Sequence, residues 1–289
     1  MIYYPNCKIN LGLRVIDRRE DGYHTIETVF VPVYALHDEL EVTPADAFSF
    51  VQQGLVVDCP AEENLIVRCY RQMAARYPQI HPVAVRFRKN IPFGAGLGGG
   101  SSDAAHMAIA LNDLFGLGLS REQLAAEVRS LGADCPFFVY NTACFAEGIG
   151  DILTPVSLDL SRFRILLVKP TESVSTREAY AGIALHPEAA GKLMACLTNP
   201  DIPALLQKET PVINDFEQTV FPLHPAIAKI KQRMLDAGAV YASMSGSGST
   251  VFGLFENNPE SSSYSRLGML EQEFASMVLL NDSLGQWKA

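Results

Sequence analysis

No run of apolar residues in this chain approaches the roughly 18 that a membrane-spanning helix needs, so no membrane span is expected. The start, Met1-Ile2-Tyr3-Tyr4-Pro5-Asn6, lacks a basic region followed by an apolar one, and no secretory signal is expected. Basic residues are outnumbered: 23 Lys and Arg face 32 Asp and Glu, for a net charge of −9. That balance argues against a general binder of nucleic acid or of membrane surfaces. Small-molecule partners are left, with monomer and homodimer both open. The six cysteines form no CxxC pair and no zinc-site spacing. A reduced, cytoplasmic protein is the expectation. The pattern G-x-x-x-x-G-K-[ST] is missing, as are the His-Arg-Asp and Asp-Phe-Gly motifs of protein kinases.

What the chain does have is a large apolar fraction, 48%, over 289 residues, which suits two domains or one large one. From Cys7 to Val15 the residues alternate. Ile9, Leu11, Leu13 and Val15 share one face, and Lys8, Asn10, Gly12 and Arg14 share the other, which predicts a half-buried strand. Asp21-Gly22 marks a turn into a second strand, Tyr23 to Val33. Further strands are expected at Leu40–Thr43, Phe48–Val57 and Val83–Lys89, with a helix from Glu63 to Tyr77 between the last two. Ser120-Arg121-Glu122-Gln123 is a capping-box start, and Gly132 suits the end of that helix. Ala133 to Tyr140 reads as an apolar, strand-like run. Beyond an interruption at Thr154–Ser161 come a strand at Arg164–Val168 and helices at Thr176–Ile183 and Pro225–Ala237. Strands at Val240–Met244 and Thr250–Phe255 flank Ser245-Gly246-Ser247-Gly248-Ser249, and a last helix covers Ser262–Met277. Strands that look hairpin-linked, with helices interspersed, favour an α+β fold over an alternating parallel sheet.

The densest signal is Pro92-Phe93-Gly94-Ala95-Gly96-Leu97-Gly98-Gly99-Gly100-Ser101-Ser102, followed at once by a helical pattern. Glycines let a backbone approach a ligand closely, and the start of a helix offers unpaired N–H groups and a positive dipole end. This is an anion site suited to nucleotide phosphates. Gly94 to Gly99 also satisfies G-x-G-x-x-G, yet the acidic residue that a Rossmann dinucleotide site needs about 20 residues on would still fall in or near the helix. Asp103, in the first helical turn, would repel a phosphate there. It must point away, cap the helix, or help to hold Mg²⁺ through water.

The glycine-loop sequence resembles the phosphate-binding motif of the GHMP kinases, the family of galactokinase, homoserine kinase, mevalonate kinase and phosphomevalonate kinase. Lys8-Ile9-Asn10-Leu11, Asp21-Gly22-Tyr23-His24, Glu63-Asn64-Leu65-Ile66, Gly132-Ala133-Asp134-Cys135-Pro136 and Ser245-Gly246-Ser247-Gly248 extend the likeness in family order. They point to the branch whose acceptor is a cytidine-diphosphate alcohol. The resemblance implies a two-domain α+β fold, residues 1–155 resembling domain 2 of ribosomal protein S5 and residues 156–289 ferredoxin-like. It implies ATP with Mg²⁺ as co-substrate and direct phosphorylation of the 2-hydroxyl of the methylerythritol moiety, a step toward isoprenoid precursors.

The same resemblance assigns roles. Asp134 is the general base and Lys8 its cationic partner beside the acceptor hydroxyl. On the residues alone, Asp134 could equally bond its own turn, and Lys8 could be a solvated lysine. The loop from Pro92 to Ser102 holds ATP, with Ser102 near the metal and with Lys89 and Asn64 toward the adenine. Asn10, Tyr23, His24, Thr176, Tyr180, Gly246 and Gly248 take the acceptor, with cytosine stacked on Tyr23, read at its edge by His24 and closed by Tyr180. Rivals are a GHMP kinase for another small alcohol, a Rossmann oxidoreductase, and a non-catalytic nucleotide-binding regulator.

Overall fold

The computed structural model describes residues 1–56, 59–197, 212–284 and 286–287. The elements open with β1 (Ile2–Tyr3), β2 (Asn6–Arg18), β3 (His24–His37), β4 (Glu39–Pro44), β5 (Ser49–Gly54), α1 (Leu65–Arg76) and β6 (Val83–Lys89). They continue with α2 (Gly99–Phe115), α3 (Arg121–Val128), α4 (Cys135–Tyr140), β7 (Cys144–Glu147), β8 (Ile152–Pro155), β9 (Leu158–Asp159) and β10 (Phe163–Val168). The remainder are α5 (Thr176–Tyr180), α6 (Lys192–Leu197), α7 (Glu217–Leu223), α8 (Pro225–Asp236), β11 (Tyr241–Met244), β12 (Val251–Glu256), α9 (Ser262–Glu273), β13 (Val278–Ser283) and β14 (Gln286–Trp287). The expected strand to Val57 ends at Gly54, and Val57 itself lies outside the described residues.

The chain forms two compact units, each discontinuous in sequence: Met1–Lys8, Pro32–Phe93 and Gly98–Asn141 in one, and Ile9–Val31, Gly94–Leu97 and Thr142–Ala289 in the other. Strands β2 and β3 each contribute residues to both units.

The first unit carries a sheet of order β1-β4-β6-β5, antiparallel except for the parallel pair β5/β6. Helix α1 packs on α2, and α2 and α3 pack on α4. Asn64 caps α1 by accepting from the Ile66 amide, and Ser120 and Gln123 complete the expected capping box on α3. Gly132 is extended at φ 174° and follows a short 3₁₀ turn, so it is not a left-handed cap. The apolar run to Tyr140 is helix α4, not a strand. Pro136 sits at its first turn, where a missing N–H costs nothing, and burial all round hides any helical period.

In the second unit, with α5 and α6 inserted after β10, the elements β10, α7–α8, β11, β12, α9 and β13 run in the order βαββαβ. The sheet order is β11-β12-β10-β13, antiparallel throughout, which is the ferredoxin-like arrangement. Val168, Ile227, Ile230, Met234, Val251 and Leu267 belong to its core. The last helix stops at Glu273, and β13, absent from the sequence reading, follows at the sheet edge. A second sheet has the order β2-β3-β7-β8. Here β2 departs from expectation: its polar face is as buried as its apolar one, with Lys8, Asn10 and Arg14 all inside.

Candidate active site

The helix α2 begins at Gly99, directly behind the glycine loop. Its ladder starts with the Ser102 amide donating to the Gly98 carbonyl, so the amides of residues 99–101 precede the internal bonds. Gly98 is the N-cap, at φ +70°, and no side chain caps the helix. A Cβ at Gly98 would lie 2.9 Å from the Phe138 ring and 3.1 Å from Lys8 Cε, so only glycine fits this junction.

Lys8, which a Cβ on that glycine would touch, reaches Asp134: Nζ stands 3.5 Å from Oδ2. Lys8 is 4% exposed and Asp134 30% exposed at the side chain. Asp134 occupies the N-cap position of α4 but makes no capping hydrogen bond. Bonding its own turn is therefore not what Asp134 does, and Lys8 is not a solvated lysine. A buried ammonium and a partly open carboxylate stand together beside the start of a glycine helix.

Lys89, expected near the adenine, is held by two carboxylates. Its Nζ is buried and donates to Asp38 Oδ2 at 2.5 Å and Asp103 Oδ2 at 2.7 Å. Burial opposes the Lys89 charge, but the two carboxylates outweigh it and raise the pKa. Asp103 is raised well above the usual carboxylate range, by burial first, with the Asp38 charge adding and Lys89 opposing. Asp38 also accepts from the amides of Asn90 and Ile91, just before the loop. This answers the question posed by Asp103: it points away from the phosphate position, into Lys89. Lys89 still borders a cavity of about 310 Å³ together with Asn64, Leu65, Phe87, Phe93 and Gly100. The cavity joins both residues expected near adenine to the glycine loop.

In the second unit, Gly94 and Gly96 take positive φ, and Gly96 meets the other glycine loop. A Cβ on Gly96 would fall 2.0 Å from the Ser245 carbonyl oxygen. Ser245 Oγ donates to the Gly96 carbonyl at 2.9 Å and accepts from the Asn10 amide at 3.3 Å. Asn10 Nδ2 donates to Thr28 Oγ1. Thr176 Oγ1 lies 3.3 Å from Ser247 Oγ, which brings α5 to the Gly246–Gly248 loop. His24 and Tyr180 stack ring on ring, 4.5 Å apart at 14°, so Tyr180 covers a face of His24. The His24 pKa is lowered, by burial first and then by the Arg18 charge, which keeps the ring neutral. Tyr23 is 61% exposed.

Among the described residues no group of three or more His, Cys, Asp or Glu could hold a metal ion. Ser102 is fully buried, and its hydroxyl turns to His106 Nδ1 at 3.4 Å, while Asp103 is committed to Lys89. This donor set does not form a protein cage for Mg²⁺.

Sequence reasoning gave no role to Asp38, which holds Lys89, to Ser245, which bonds Gly96 and Asn10, or to Asn214, whose Nδ2 donates to the Met244 and Gly246 carbonyls. Asp38 stands alone between two strands, and Asn214 follows an apolar residue in no periodic pattern. Only the Gly-Ser composition around Ser245 carried a signal.

A family model for the GHMP kinases N terminal domain matches residues 64–142, and one for GHMP kinases C terminal matches residues 193–263. The chain belongs to the GHMP kinase family. It is 48% identical over 257 residues to 4-diphosphocytidyl-2-C-methyl-D-erythritol kinase of Parabacteroides distasonis, covering 89% of this chain and 92% of that one. It is 46% identical over 256 residues to the enzyme of the same name from Azobacteroides pseudotrichonymphae, covering 89% and 94%. A crystal structure of 4-(cytidine 5'-diphospho)-2C-methyl-D-erythritol kinase matches with a TM-score of 0.79 at 34% identity, over 99% of both chains. Mevalonate kinase from L. major, at 13% identity with a TM-score of 0.71 over 100% of this chain and 97% of that one, shares the fold.

Proposed function

We propose that this chain is an ATP-dependent kinase that phosphorylates the 2-hydroxyl of 4-(cytidine 5'-diphospho)-2-C-methyl-D-erythritol, in the non-mevalonate route to isoprenoid precursors. The observation that carries the chemistry is the Lys8–Asp134 pair beside Gly98. Asp134 accepts the proton of the acceptor hydroxyl as its oxygen attacks the γ-phosphorus. The bond from that phosphorus to the β–γ bridging oxygen breaks, and ADP leaves. Lys8 offsets the negative charge that grows on the reacting oxygens. The amides at the start of α2 hold the phosphates. Transfer is direct, with no phosphoenzyme. Mg²⁺, brought with ATP, neutralises phosphate charge when bound.

Asn64, Leu65, Phe87, Lys89 and Phe93 form the adenine cavity in this reading. Tyr23 and the edge of the neutral His24 take the cytosine, which favours a cytidine acceptor over another small alcohol. The partners are then two small molecules, ATP and a CDP-alcohol, with no nucleic acid. The enzyme works in the cytoplasm as a monomer or homodimer. Among the described residues no helix is long and apolar enough to cross a membrane. Product analysis with ATP and the CDP-alcohol, set against free alcohols, tests the reading.

A further inference from the structure

Asn214 makes no contact expected of the reaction, yet it is 2% exposed and spends its whole amide on one loop and its own turn. Its Nδ2 donates to the Met244 carbonyl at 2.7 Å and to the Gly246 carbonyl at 2.8 Å. Its Oδ1 accepts from the Phe216 amide at 3.0 Å. Every partner of Nδ2 is an acceptor and the partner of Oδ1 is a donor, so the amide has one orientation and both of its N–H groups are used.

The backbone on either side is anchored. The Leu13 amide donates to Ile213, and the Asp215 amide donates to Leu13. Asp215 Oδ2 accepts from the Val15 amide at 2.7 Å and from Arg14 Nε at 3.1 Å. Asn214 is thus fixed to β2 and holds the carbonyls on both sides of Ser245. Ser245 in turn reaches Asn10 and the Gly96 carbonyl.

We infer that Asn214 is a positioning residue. It sets the Ser245–Gly246 loop, and through Ser245 the Gly96 turn and Asn10, in the geometry that receives the CDP-alcohol acceptor. The assignment of that ligand rests on the function proposed above; the positioning of the loop does not.

The test uses Asn214→Asp in the full chain. The substitution keeps the shape but turns carboxylate oxygens toward two carbonyls in place of N–H groups. Amide hydrogen exchange across Ser245–Ser249, measured without ligands, is expected to speed up by about tenfold or more. KM for the CDP-alcohol is expected to rise by about tenfold, with a smaller change in kcat. Where Asn214→Asp fails to fold, Ser245→Ala carries the test, since it cuts the bond to Gly96 and should raise KM in the same direction. Unchanged loop exchange and unchanged KM in a folded variant overturn the inference. If the wild type does not phosphorylate the CDP-alcohol, the functional reading fails, and the exchange measurement still decides the role of Asn214.

Discussion

Lys8 Nζ stands 3.5 Å from Asp134 Oδ2, and the Asp134 side chain accepts no capping hydrogen bond from the helix that begins beside it. Structural duty does not account for the carboxylate. The side chain is partly open, so a hydroxyl can reach it, while its cationic partner is held inside. Asp134→Asn should therefore lower kcat by about 10²–10⁴ with ATP affinity little changed, and Lys8→Met should act in the same direction. Steady-state kinetics with nucleotide-binding titrations check this. Unchanged turnover removes Asp134 from the mechanism.

Lys89→Met leaves Asp38 and Asp103 buried without their cation. Breaking such a pair should cost about 3–5 kcal/mol at neutral pH, measured by urea unfolding. Asp103 is already raised by burial, and loss of Lys89 removes the one pull downward. The folded wild type already binds a proton that the unfolded chain releases, and the folded variant binds it from higher pH still, so the two differ between the raised wild-type value and the higher one of the variant. Its stability deficit against the wild type should shrink as pH falls through that range. A deficit independent of pH would contradict the arrangement.

His106 lies four residues after Ser102 on α2, and its Nδ1 donates to the Ser102 carbonyl at 2.9 Å. Burial lowers its pKa, against the pull of that bond. Unfolding lets the ring take up a proton near its ordinary value of 6.5. The stability it contributes is complete above that pH and is lost as pH falls below it, by up to about 1.4 kcal/mol per pH unit. His24, shifted the same way, adds to the slope. His106→Met should flatten unfolding free energy between about pH 6.5 and 5, and an unaltered slope would show that His106 titrates normally.

Tyr23 is largely exposed next to a His24 whose face is covered by Tyr180. Tyr23→Ala should raise KM for the cytidine substrate by about tenfold and leave KM for ATP unchanged. An effect confined to ATP would reverse the assignment of the two subsites.

Much of this was legible in the residues. The glycine run led into a helix as its pattern indicated, and the capping box at Ser120 and the hairpin at Asp21-Gly22 formed where local chemistry placed them. Other features depend on tertiary burial, which leaves no local mark. The run at Ala133–Tyr140 is apolar on all sides, so strand and helix look alike in it. The polar face of β2 looks solvent-ready, and only packing shows Lys8 and Asn10 to be interior. Asp38 and Asn214 act across 51 and 32 residues of sequence, on Lys89 and the Gly246 carbonyl, beyond the reach of any periodic pattern.

The most direct measurement is ³¹P NMR and mass spectrometry of the wild-type protein incubated with ATP, Mg²⁺ and 4-(cytidine 5'-diphospho)-2-C-methyl-D-erythritol. The account predicts ADP and one new phosphomonoester signal on the 2-oxygen of the acceptor, with free alcohols giving far less product. Equal turnover of free alcohols, or ATP hydrolysis without a phosphorylated CDP-alcohol, would contradict it.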